Sequence, residues 1–292
     1  MPFLRVLLVR HGESENNIYS EISRRAFEEN RVADPDITER GIKQAQSVAN
    51  YFQSGENAIL HSTIDTIYVS PMKRTMQTAL PLVTAMMNNN NNNNGNNNNT
   101  TTAPNVQVWT DIYEITGVHD KGIGQPGMSR TEMQTEFPLY SLPTSVTEGG
   151  WYDTSLGRES QQHGAKRCQQ VWNQLCNMAD NLKQKNSSIV LVVHGDFIDH
   201  LLQAAFGMLQ LADSNNNTNE SSSLPEQKKK TWVFPTWNGS ITALDIPSLR
   251  NNGQGTSTTN TSCHRRRPTM LFHNAVSHLS PELVKTDKLG KC

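Results

Sequence analysis

The stretch VLLVRHGESENN, residues 6–17, joins a short apolar run to a cluster of polar residues. The run from Val6 to Val9 is continuously aliphatic, which is typical of a strand that is buried on both faces. A longer run of the same kind spans Ile189 to Val193, and Ile64 to Val69 is a weaker third candidate. Strands of this composition predict a sheet that is largely parallel and covered on both sides.

Apolar residues at helical spacing lie between these strands. One set recurs every three or four residues and comprises Ile42, Ala45, Val48, Ala49 and Phe52. Thr38 stands where it would cap that helix. A second set comprises Ala165, Cys168, Val171, Trp172, Leu175 and Leu182. Strands that alternate with helices predict an α/β fold, a three-layer sandwich with a mostly parallel central sheet and helices on both faces.

Later strands and three polar tracts complete the predicted organisation. Thr231 to Val233 and Ser240 to Ile246 are predicted strands, placed at an edge of the sheet. The tracts are rich in Asn, Ser and Thr and occupy residues 87–105, 213–230 and 250–268. Such segments bury too little apolar surface to offset their ordering entropy, which predicts disordered insertions in surface loops. The chain, residues 1–292, is therefore expected to form a single domain with these insertions.

Charge and composition restrict the partners. The formal net charge of −1 disfavours a nucleic-acid partner. The basic run from Arg265 to Arg267 is interpreted as solvated charge in a loop. No apolar run approaches the roughly 18 residues that a membrane span needs, and the N-terminus enters a strand without a signal-peptide core. The four cysteines form no C-x-x-C pair, which favours a reducing compartment. We therefore expect a cytoplasmic protein without a membrane partner, and the oligomeric state stays open.

Polar side chains follow the predicted strands at the point where each strand ends. Arg10 and His11 end the first strand, and His194 follows the run that ends at Val193. Arg74 lies in the segment after the Ile64–Val69 strand. Since the carboxyl ends of parallel strands meet at one edge of a sheet, where ligands bind, these four side chains are expected to converge. Helices that begin in the following segments would add N–H groups and dipoles that attract an anion.

Two arginines and two histidines at one sheet edge suit a phosphate dianion. Arginine forms paired hydrogen bonds to phosphate oxygens and stays charged at any working pH. A histidine among cations has its pKa pushed down, because a like charge disfavours the imidazolium. A neutral imidazole with one nitrogen held by a backbone carbonyl keeps the lone pair of the other nitrogen for attack on phosphorus.

Each of these residues also has a plainer interpretation. A histidine at the end of a strand is often a hydrogen-bonded structural residue, and an isolated arginine on a helix is often a surface charge. The two histidines could also be metal ligands. No H-E-x-x-H or comparable cluster supplies the rest of a metal shell, however, so neither a metal nor another cofactor is expected. The joint pattern at three strand ends favours the phosphate site.

The segment 8–17 resembles the R-H-G-E-S-x-x-N signature of the histidine phosphatase superfamily, in its phosphoglycerate mutase-like branch. Residues 36–41 resemble the family's D-x-L-T-x-x-G segment, and residues 69–79 resemble S-P-L-x-R-A-x-Q-T-A. Residues 192–198 and 238–242 are similar to later family segments in the same order. Apart from the three insertions, the resemblance covers essentially the whole chain.

The resemblance implies a phosphomonoester hydrolase that needs no metal. His11 would be the phosphorylated nucleophile. Arg10, Arg74 and His194 would bind the phosphoryl group through the transition state. Asn17 matches a position that contacts phosphate or substrate in relatives. The substrate would be a small phosphorylated molecule or a phosphoprotein.

Glu114 is the candidate proton donor, since residues 112–117 resemble the family segment that carries this glutamate. The role requires a carboxyl that is protonated in one step and basic in the next, which needs a pKa raised toward neutral. The residues after Glu114 depart from the L-R-E-R-x-Y-G pattern of the mutases, and this disfavours phosphoglycerate mutase-type transfer. A catalytically silent phosphate-binding or scaffold module is a third possibility, which the presence of all four phosphate-binding side chains disfavours.

The segment 118–151 is expected to cover the pocket. Residues in and beside it that could contact substrate there are His119, Lys121, Arg130, Trp151 and Tyr152. Each is individually better interpreted as a loop or packing residue, so none is counted among the site residues.

Overall fold

The computed structural model describes residues 1–54, 64–92, 104–209, 233–249 and 266–284. The strands are β1 (Phe3–Arg10), β2 (Thr66–Val69), β3 (Asn105–Val108), β4 (His119–Asp120), β5 (Ile123–Gly124), β6 (Ser187–Val193), β7 (Ile241–Pro247) and β8 (Thr269–Ala275). The helices are α1 (Glu15–Ile22), α2 (Arg24–Asn30), α3 (Glu39–Ser54), α4 (Lys73–Asn92), α5 (Arg130–Glu136), α6 (Gln161–Asp180) and α7 (Gly195–Ala205).

Within these residues, the main sheet has six strands in the order β3-β2-β6-β1-β7-β8. The first four are parallel, and β7 and β8 are antiparallel additions on one side. β1 and β6 lie at the centre of the sheet and pair in register from Leu4–Ser187 to Arg10–Val193. This pairing brings the carboxyl ends of β1 and β6 side by side. β4 and β5 form a separate small hairpin.

The sheet carries an apolar layer on each face. In β1, Val6 and Leu8 pack into the cluster that contains the buried faces of α6 and α7. Leu7 and Val9 alternate with them and pack into the cluster built by α3 and α4. All four side chains are fully buried. This alternation on a strand that is apolar throughout places helices on both faces, which confirms the predicted α/β sandwich.

The predicted helices are present, with two corrections at their ends. Thr38 caps α3 as expected, because its Oγ1 accepts the Gly41 N–H at 3.1 Å. Ile42, however, is 55% exposed, and the buried face of α3 instead includes Gly41 and Gln44. Gln44 is buried because its amide bonds backbone groups on two sides of the helix, which an apolar pattern does not reveal. Leu182 lies beyond the end of α6 at Asp180.

The predicted edge strand is wrong in position. β7 contains most of the segment from Ser240 to Ile246, but it lies between β1 and β8. The edge is β8, whose side chains are mostly half-exposed and include His273 and Asn274. A strand of this mixed character shows neither an apolar run nor a clean alternation, so no strand is predicted there. Of the other predicted strand, residues 231 and 232 lie outside the described residues, and Val233 is in an irregular segment.

The polar tracts fall largely outside the described residues. α4 continues into the first tract as far as Asn92, and β3 begins at Asn105. Residues 93–103, 213–230 and 250–265 lie outside the description, so the predicted insertions stay predictions. The interpretation of Arg266 as a solvated charge is wrong. Its side chain is buried and pairs with Asp180 at the end of α6.

Among the described helices, none combines the length and the apolar character that a bilayer span requires.

Candidate active site

A cleft of about 610 Å³ opens at the carboxyl edge of the sheet. Five of the six predicted site residues line it: Arg10, His11, Asn17, Arg74 and Glu114. Arg10 ends β1, Arg74 lies in the first turn of α4, and Glu114 follows a single 3-10 turn after β3. The sixth, His194, does not line the cleft. It is fully buried as the N-cap residue of α7, and its ring centroid lies 5.2 Å from that of His11.

The His11 ring is held at both nitrogens. Nδ1 lies 2.7 Å from the Gly12 carbonyl oxygen, which only accepts, so the ring proton is assigned to Nδ1. Nε2 then carries the lone pair and accepts a hydrogen bond from Arg74 Nε at 3.3 Å. Burial, reinforced by the Arg74 and Arg10 cations, lowers the pKa of His11 well below its ordinary value. At neutral pH the imidazole is therefore neutral, with its lone pair on the side of Arg74.

His194 is held by a residue that the sequence reasoning did not include. Its Nε2 lies 2.7 Å from Ser70 Oγ, and both side chains are fully buried. Its Nδ1 is buried without a hydrogen-bond partner among the described residues. Burial, then the Arg74 cation, lowers the pKa of His194 well below its usual value. The available signal for Ser70 was its place in the S-P-x-x-R segment.

Arg74 is oriented by Asp34, a second residue that the sequence reasoning missed. Arg74 Nη1 lies 3.8 Å from Asp34 Oδ1. The two Asp34 oxygens also accept the Lys73 N–H at 3.0 and 3.2 Å, so this carboxylate caps the start of α4. Burial raises the pKa of Asp34 to about 6, although the Arg74 cation and the Lys73 N–H oppose the rise. No periodicity marks Asp34, which stands two residues before the D-x-L-T segment.

The Arg10 guanidinium is anchored at one end. One Nη1 hydrogen bond goes to the Thr236 carbonyl, and Nε is buried without a partner among the described residues. Burial lowers the pKa of Arg10, and the nearby Glu114 and Asp196 carboxylates oppose this change. The segment beyond Thr236 also supports the nucleophile, since Asn238 Nδ2 donates to the His11 carbonyl at 3.0 Å.

Glu114 lies at the N-terminus of α7. Its Oε1 accepts the N–H groups of Phe197 at 3.0 Å and Ile115 at 2.9 Å, and its Oε2 accepts that of Asp196 at 3.4 Å. Free helix N–H groups and the helix dipole favour a carboxylate in this position. These contacts fix the carboxylate against the start of the helix that follows His194.

The segment that carries Glu114 is anchored from α6. Arg167 Nη1 donates to the carbonyls of Asp111 and Tyr113 at 2.9 Å each. The same guanidinium forms a two-bond pair with Glu159, at 3.0 and 2.7 Å, and Tyr113 Oη donates to Glu159 at 2.9 Å. Arg167 and Glu159 are both buried. Glu114 therefore projects from backbone that a buried ion pair holds on both sides of Ile112.

Asn17 lines the cleft but its side-chain oxygen is already used. Oδ1 accepts from the N–H and hydroxyl of Ser14 at 3.0 Å and from Asn238 Nδ2 at 3.2 Å. The first of these bonds belongs to the capping box at the start of α1. The amide nitrogen of Asn17 is left as the donor for a ligand.

The residues that were expected to cover the pocket divide into two groups. His119 and Lys121 line the cleft. Arg130, Trp151 and Tyr152 do not line it. The Arg130 guanidinium donates to the carbonyls of Val146 and Pro143, and Tyr152 Oη donates to Gly157. Two cleft residues, Arg31 and Arg158, were missed because they lie outside the family segments.

Comparison with known proteins relates the N-terminal part of the chain to one family. Residues 6–89 match the model of the histidine phosphatase superfamily (branch 1). This matched part contains three of the predicted phosphate-binding side chains, Arg10, His11 and Arg74. Across the described residues, no group of three or more His, Cys, Asp or Glu side chains is arranged to hold a metal ion.

Individual proteins are similar to longer or shorter parts of the chain. Phosphoserine phosphatase 1 of Hydrogenobacter thermophilus is 37% identical over 82 residues, 28% of this chain and 32% of that protein. Phosphoglycerate mutase-like protein 1 of Arabidopsis thaliana is 26% identical over 213 residues, 68% of this chain and 71% of that protein. The solved structure titled mycobacterial hydrolase 2 has a TM-score of 0.52 at 17% identity, covering 97% of this chain and 95% of that one. At this identity the structural likeness concerns the fold alone.

Proposed function

We propose that the protein hydrolyses phosphomonoesters through a phosphohistidine intermediate on His11, without a metal or organic cofactor. One observation carries this proposal. The His11 ring is tied through Nδ1 to the Gly12 carbonyl, while Nε2 carries a lone pair in a cleft lined by Arg10 and Arg74. An imidazole held in this tautomer beside two guanidinium groups combines a nucleophile with the charges that bind its electrophile.

The first step transfers the phosphoryl group to the enzyme. Arg74, which donates to His11 Nε2 in this structure, turns its N–H groups to the phosphoryl oxygens and releases the lone pair. A bond forms between His11 Nε2 and phosphorus while the bond from phosphorus to the ester oxygen breaks. Glu114, in its protonated form, gives its proton to the departing oxygen. The N–H groups at the start of α7 favour the ionised carboxylate in the free enzyme, and repulsion from the bound phosphate dianion opposes this preference and favours protonation of Glu114 when substrate is present.

The second step returns the enzyme to its starting state. A water oxygen bonds to phosphorus, the bond from phosphorus to His11 Nε2 breaks, and Glu114 takes the proton that the water loses. Arg10 and Arg74 neutralise the charge on the equatorial oxygens in both steps, which is the main requirement of phosphoryl transfer. We call Arg10, His11, Arg74 and His194 together the phosphate cradle. The hydrogen bond between Ser70 Oγ and His194 Nε2 fixes the His194 ring in this cradle.

Hydrolysis is favoured over phosphoglycerate mutase-type transfer by the residues after Glu114. These residues lack the mutase pattern and instead run into the small hairpin of β4 and β5. The relatives' names include both a phosphatase and a mutase-like protein. A mutase would convert 3-phosphoglycerate to 2-phosphoglycerate with little release of inorganic phosphate, so the product distribution separates the two activities.

We also propose a small phosphorylated substrate and a cytoplasmic location. The cleft volume of about 610 Å³ lies in the usual range for small-molecule sites. The location is supported by Cys168, a buried thiol that forms no disulfide among the described residues. Cys263 and Cys292 lie outside the described residues.

The test is phosphate release from a panel of phosphomonoesters in the presence of a chelator. We expect turnover that survives chelation and an acid-labile phosphoryl adduct on His11 after rapid quenching. His11→Ala should abolish both signals. Gln162→Ala, which alters an exposed residue of α6 outside the cleft, serves as the control. Turnover that persists in His11→Ala would show that another group is the nucleophile, and tight phosphate binding without turnover on any ester would support a silent module.

A further inference from the structure

Three cations line the part of the cleft that the proposed chemistry does not use. We call Arg31, Lys121 and Arg158 the distal cluster. We propose that this cluster binds a second anionic group of the substrate, a carboxylate or a second phosphate, and so determines specificity. This inference rests on the proposed function for the phosphoryl end of the ligand.

Three separate chain segments deliver the distal cluster to the cleft. Arg31 is the C-cap residue of α2. Lys121 and Gly122 form the two-residue turn between β4 and β5, with φ values of 46° and 88°. Positive φ at both positions is typical of a type I′ hairpin turn, which ties the place of Lys121 to the strand pairing. The Arg158 N–H donates to the Gly122 carbonyl at 3.1 Å, so the third segment is bonded to this turn.

Arg31 connects the distal cluster to the phosphate cradle. Its Nη1 donates to the His119 carbonyl and lies 3.4 Å from His119 Nδ1. Burial lowers the pKa of Arg31 to about 10, and the Arg74 and Arg158 cations lower it further in the same direction. The guanidinium of Arg31 therefore lies within electrostatic range of the cradle on one side and of Arg158 on the other.

The distal cluster has little compensating charge. Within the part of the chain that the structure describes, Lys121 and Arg158 form no salt bridge. Glu28 lines the cleft but pairs with Arg24 on its own helix. Asp120 and Asp34 are the acidic neighbours that attract Arg31. Asp34 also faces Arg74 and accepts the Lys73 N–H, so it is shared with the phosphoryl end of the cleft. Three cations near Asp120 and this shared carboxylate leave a positive region that attracts an anion.

His119 supports this region without adding charge. Burial, followed by the Arg31 and Arg158 cations, lowers the pKa of His119 to about 4. Its Nδ1 accepts the Gly122 N–H at 3.3 Å, which assigns the ring proton to Nε2. A neutral His119 at physiological pH therefore holds the hairpin turn and Arg31 in place and leaves the binding of the anion to the three cations.

The size of the cleft limits the substrate. One cavity of about 610 Å³ contains both the cradle and the distal cluster. The matching ligand is a small phosphomonoester whose second anionic group lies a few bonds from the phosphoryl group. Arginine accepts either a carboxylate or a phosphate in paired hydrogen bonds, so the distal cluster alone does not choose between them.

The test compares esters that differ in the second group. Glycerol 3-phosphate has no second anion, 3-phosphoglycerate adds a carboxylate, and 2,3-bisphosphoglycerate adds a carboxylate and a phosphate. We expect wild-type kcat/KM to be highest for one of the two charged esters. A higher value for 3-phosphoglycerate would identify a carboxylate as the second anionic group, and a higher value for 2,3-bisphosphoglycerate would identify a phosphate. In Arg158→Gln, the ratio of kcat/KM for the charged ester to that for glycerol 3-phosphate should fall by about tenfold or more, because a charge-assisted hydrogen bond is lost.

The control is Arg25→Gln, which removes an exposed arginine of the same charge from α2, outside the cleft. This variant should leave the ratio unchanged. Arg31→Lys is a second test variant, since it keeps the charge and removes the paired geometry. The proposal is overturned if wild type prefers glycerol 3-phosphate, or if Arg158→Gln and Arg31→Lys both leave the ratio at its wild-type value.

A binding measurement separates this proposal from the proposed hydrolysis. In His11→Ala, calorimetry should show tighter binding of the charged esters than of glycerol 3-phosphate, and the additional change Arg158→Gln should remove the difference. This result would support the distal cluster even if the wild type hydrolyses no ester. Equal binding of all three esters by His11→Ala would overturn the distal cluster while leaving hydrolysis intact.

Discussion

At the scale of single residues, the site consists of buried ionisable groups whose charge states are set by their neighbours. His11 and His194 are neutral because burial and nearby guanidinium groups disfavour a further positive charge. The buried Arg74 cation is compensated by the carboxylate of Asp34, which also caps α4. In the proposed reaction, Asp34 is therefore a positioning residue, which would act on the phosphoryl group through Arg74.

Asp34→Asn tests this role through the pH dependence of stability. Burial raises the pKa of Asp34 in the folded state to about 6, above its ordinary value of 3.8. For a carboxyl with a raised folded pKa, the stabilising contribution is complete below the unfolded pKa and is lost as pH rises through the folded pKa. Between pH 4 and pH 7 we expect the free energy of unfolding of wild type to fall by roughly 2 kcal/mol relative to Asp34→Asn.

Urea unfolding of both proteins at pH 4 and pH 7 gives the change in the free energy of unfolding for each. Both proteins contain the same histidines, so the histidine contributions cancel when the two changes are subtracted. In the proposed reaction, Asp34→Asn should also raise KM for a phosphomonoester, because Arg74 loses the group that orients it. Equal pH profiles for the two proteins would show that Asp34 does not titrate in this range.

At the scale of elements, the site depends on how loops and helix ends are locked together. Gly12 and Gly41 lie in two different family segments and touch each other. A Cβ on Gly12 would lie 2.5 Å from the Gly41 carbonyl oxygen, and a Cβ on Gly41 would lie 2.2 Å from the Glu13 carbonyl oxygen. Both glycines are needed because α3 packs its first turn directly on the backbone of the loop that follows His11.

The anchor of the Glu114 segment is the second feature at this scale. Arg167→Met leaves the buried carboxylate of Glu159 without its cation and frees the carbonyls on both sides of Ile112. Breaking a buried pair from one side costs about 3–5 kcal/mol of stability. In the proposed reaction we expect kcat to fall while KM changes little, because the substrate-binding arginines are untouched and the proton donor is displaced.

The double variant Arg167→Met, Glu159→Gln is the matched control. It has no unpaired buried charge, but it still lacks the Arg167 hydrogen bonds that anchor the Glu114 segment. Its free energy of unfolding should recover part of the loss, while its kcat should stay low. Recovery of kcat together with stability would show that the buried pair serves folding alone.

At the scale of the whole molecule, we expect the predicted insertions to be dispensable for the proposed reaction. α4 ends at Asn92 and β3 begins at Asn105, and the residues between them were predicted to form a surface insertion. Replacing residues 93–103 by a six-residue Gly/Ser linker should change kcat/KM by less than about twofold, because loop-closure entropy depends weakly on length. The melting temperature should stay close to that of wild type. A large loss of either would place this tract within the folded domain.

The sequence determined the parts of this protein that depend on local pattern. Continuous apolar runs predicted β1 and β6, and a weaker pattern predicted β2. The convergence of Arg10, His11 and Arg74 follows from the direction of parallel strands. The family segments predicted which side chains would gather, although their roles remain proposals. Short-range spacing carries this information because a strand fixes the edge at which its last residues emerge.

Only the tertiary structure decided what surrounds these side chains. Asp34, Ser70, Arg31 and Arg158 act through contacts with residues far away in the chain, and no local periodicity marks such partners. The buried place of Arg266 and the interior position of β7 were likewise set by pairing with distant elements. The physical reason is that burial and charge compensation are properties of the packed assembly, in which each group's charge state depends on every neighbour that displaces its water.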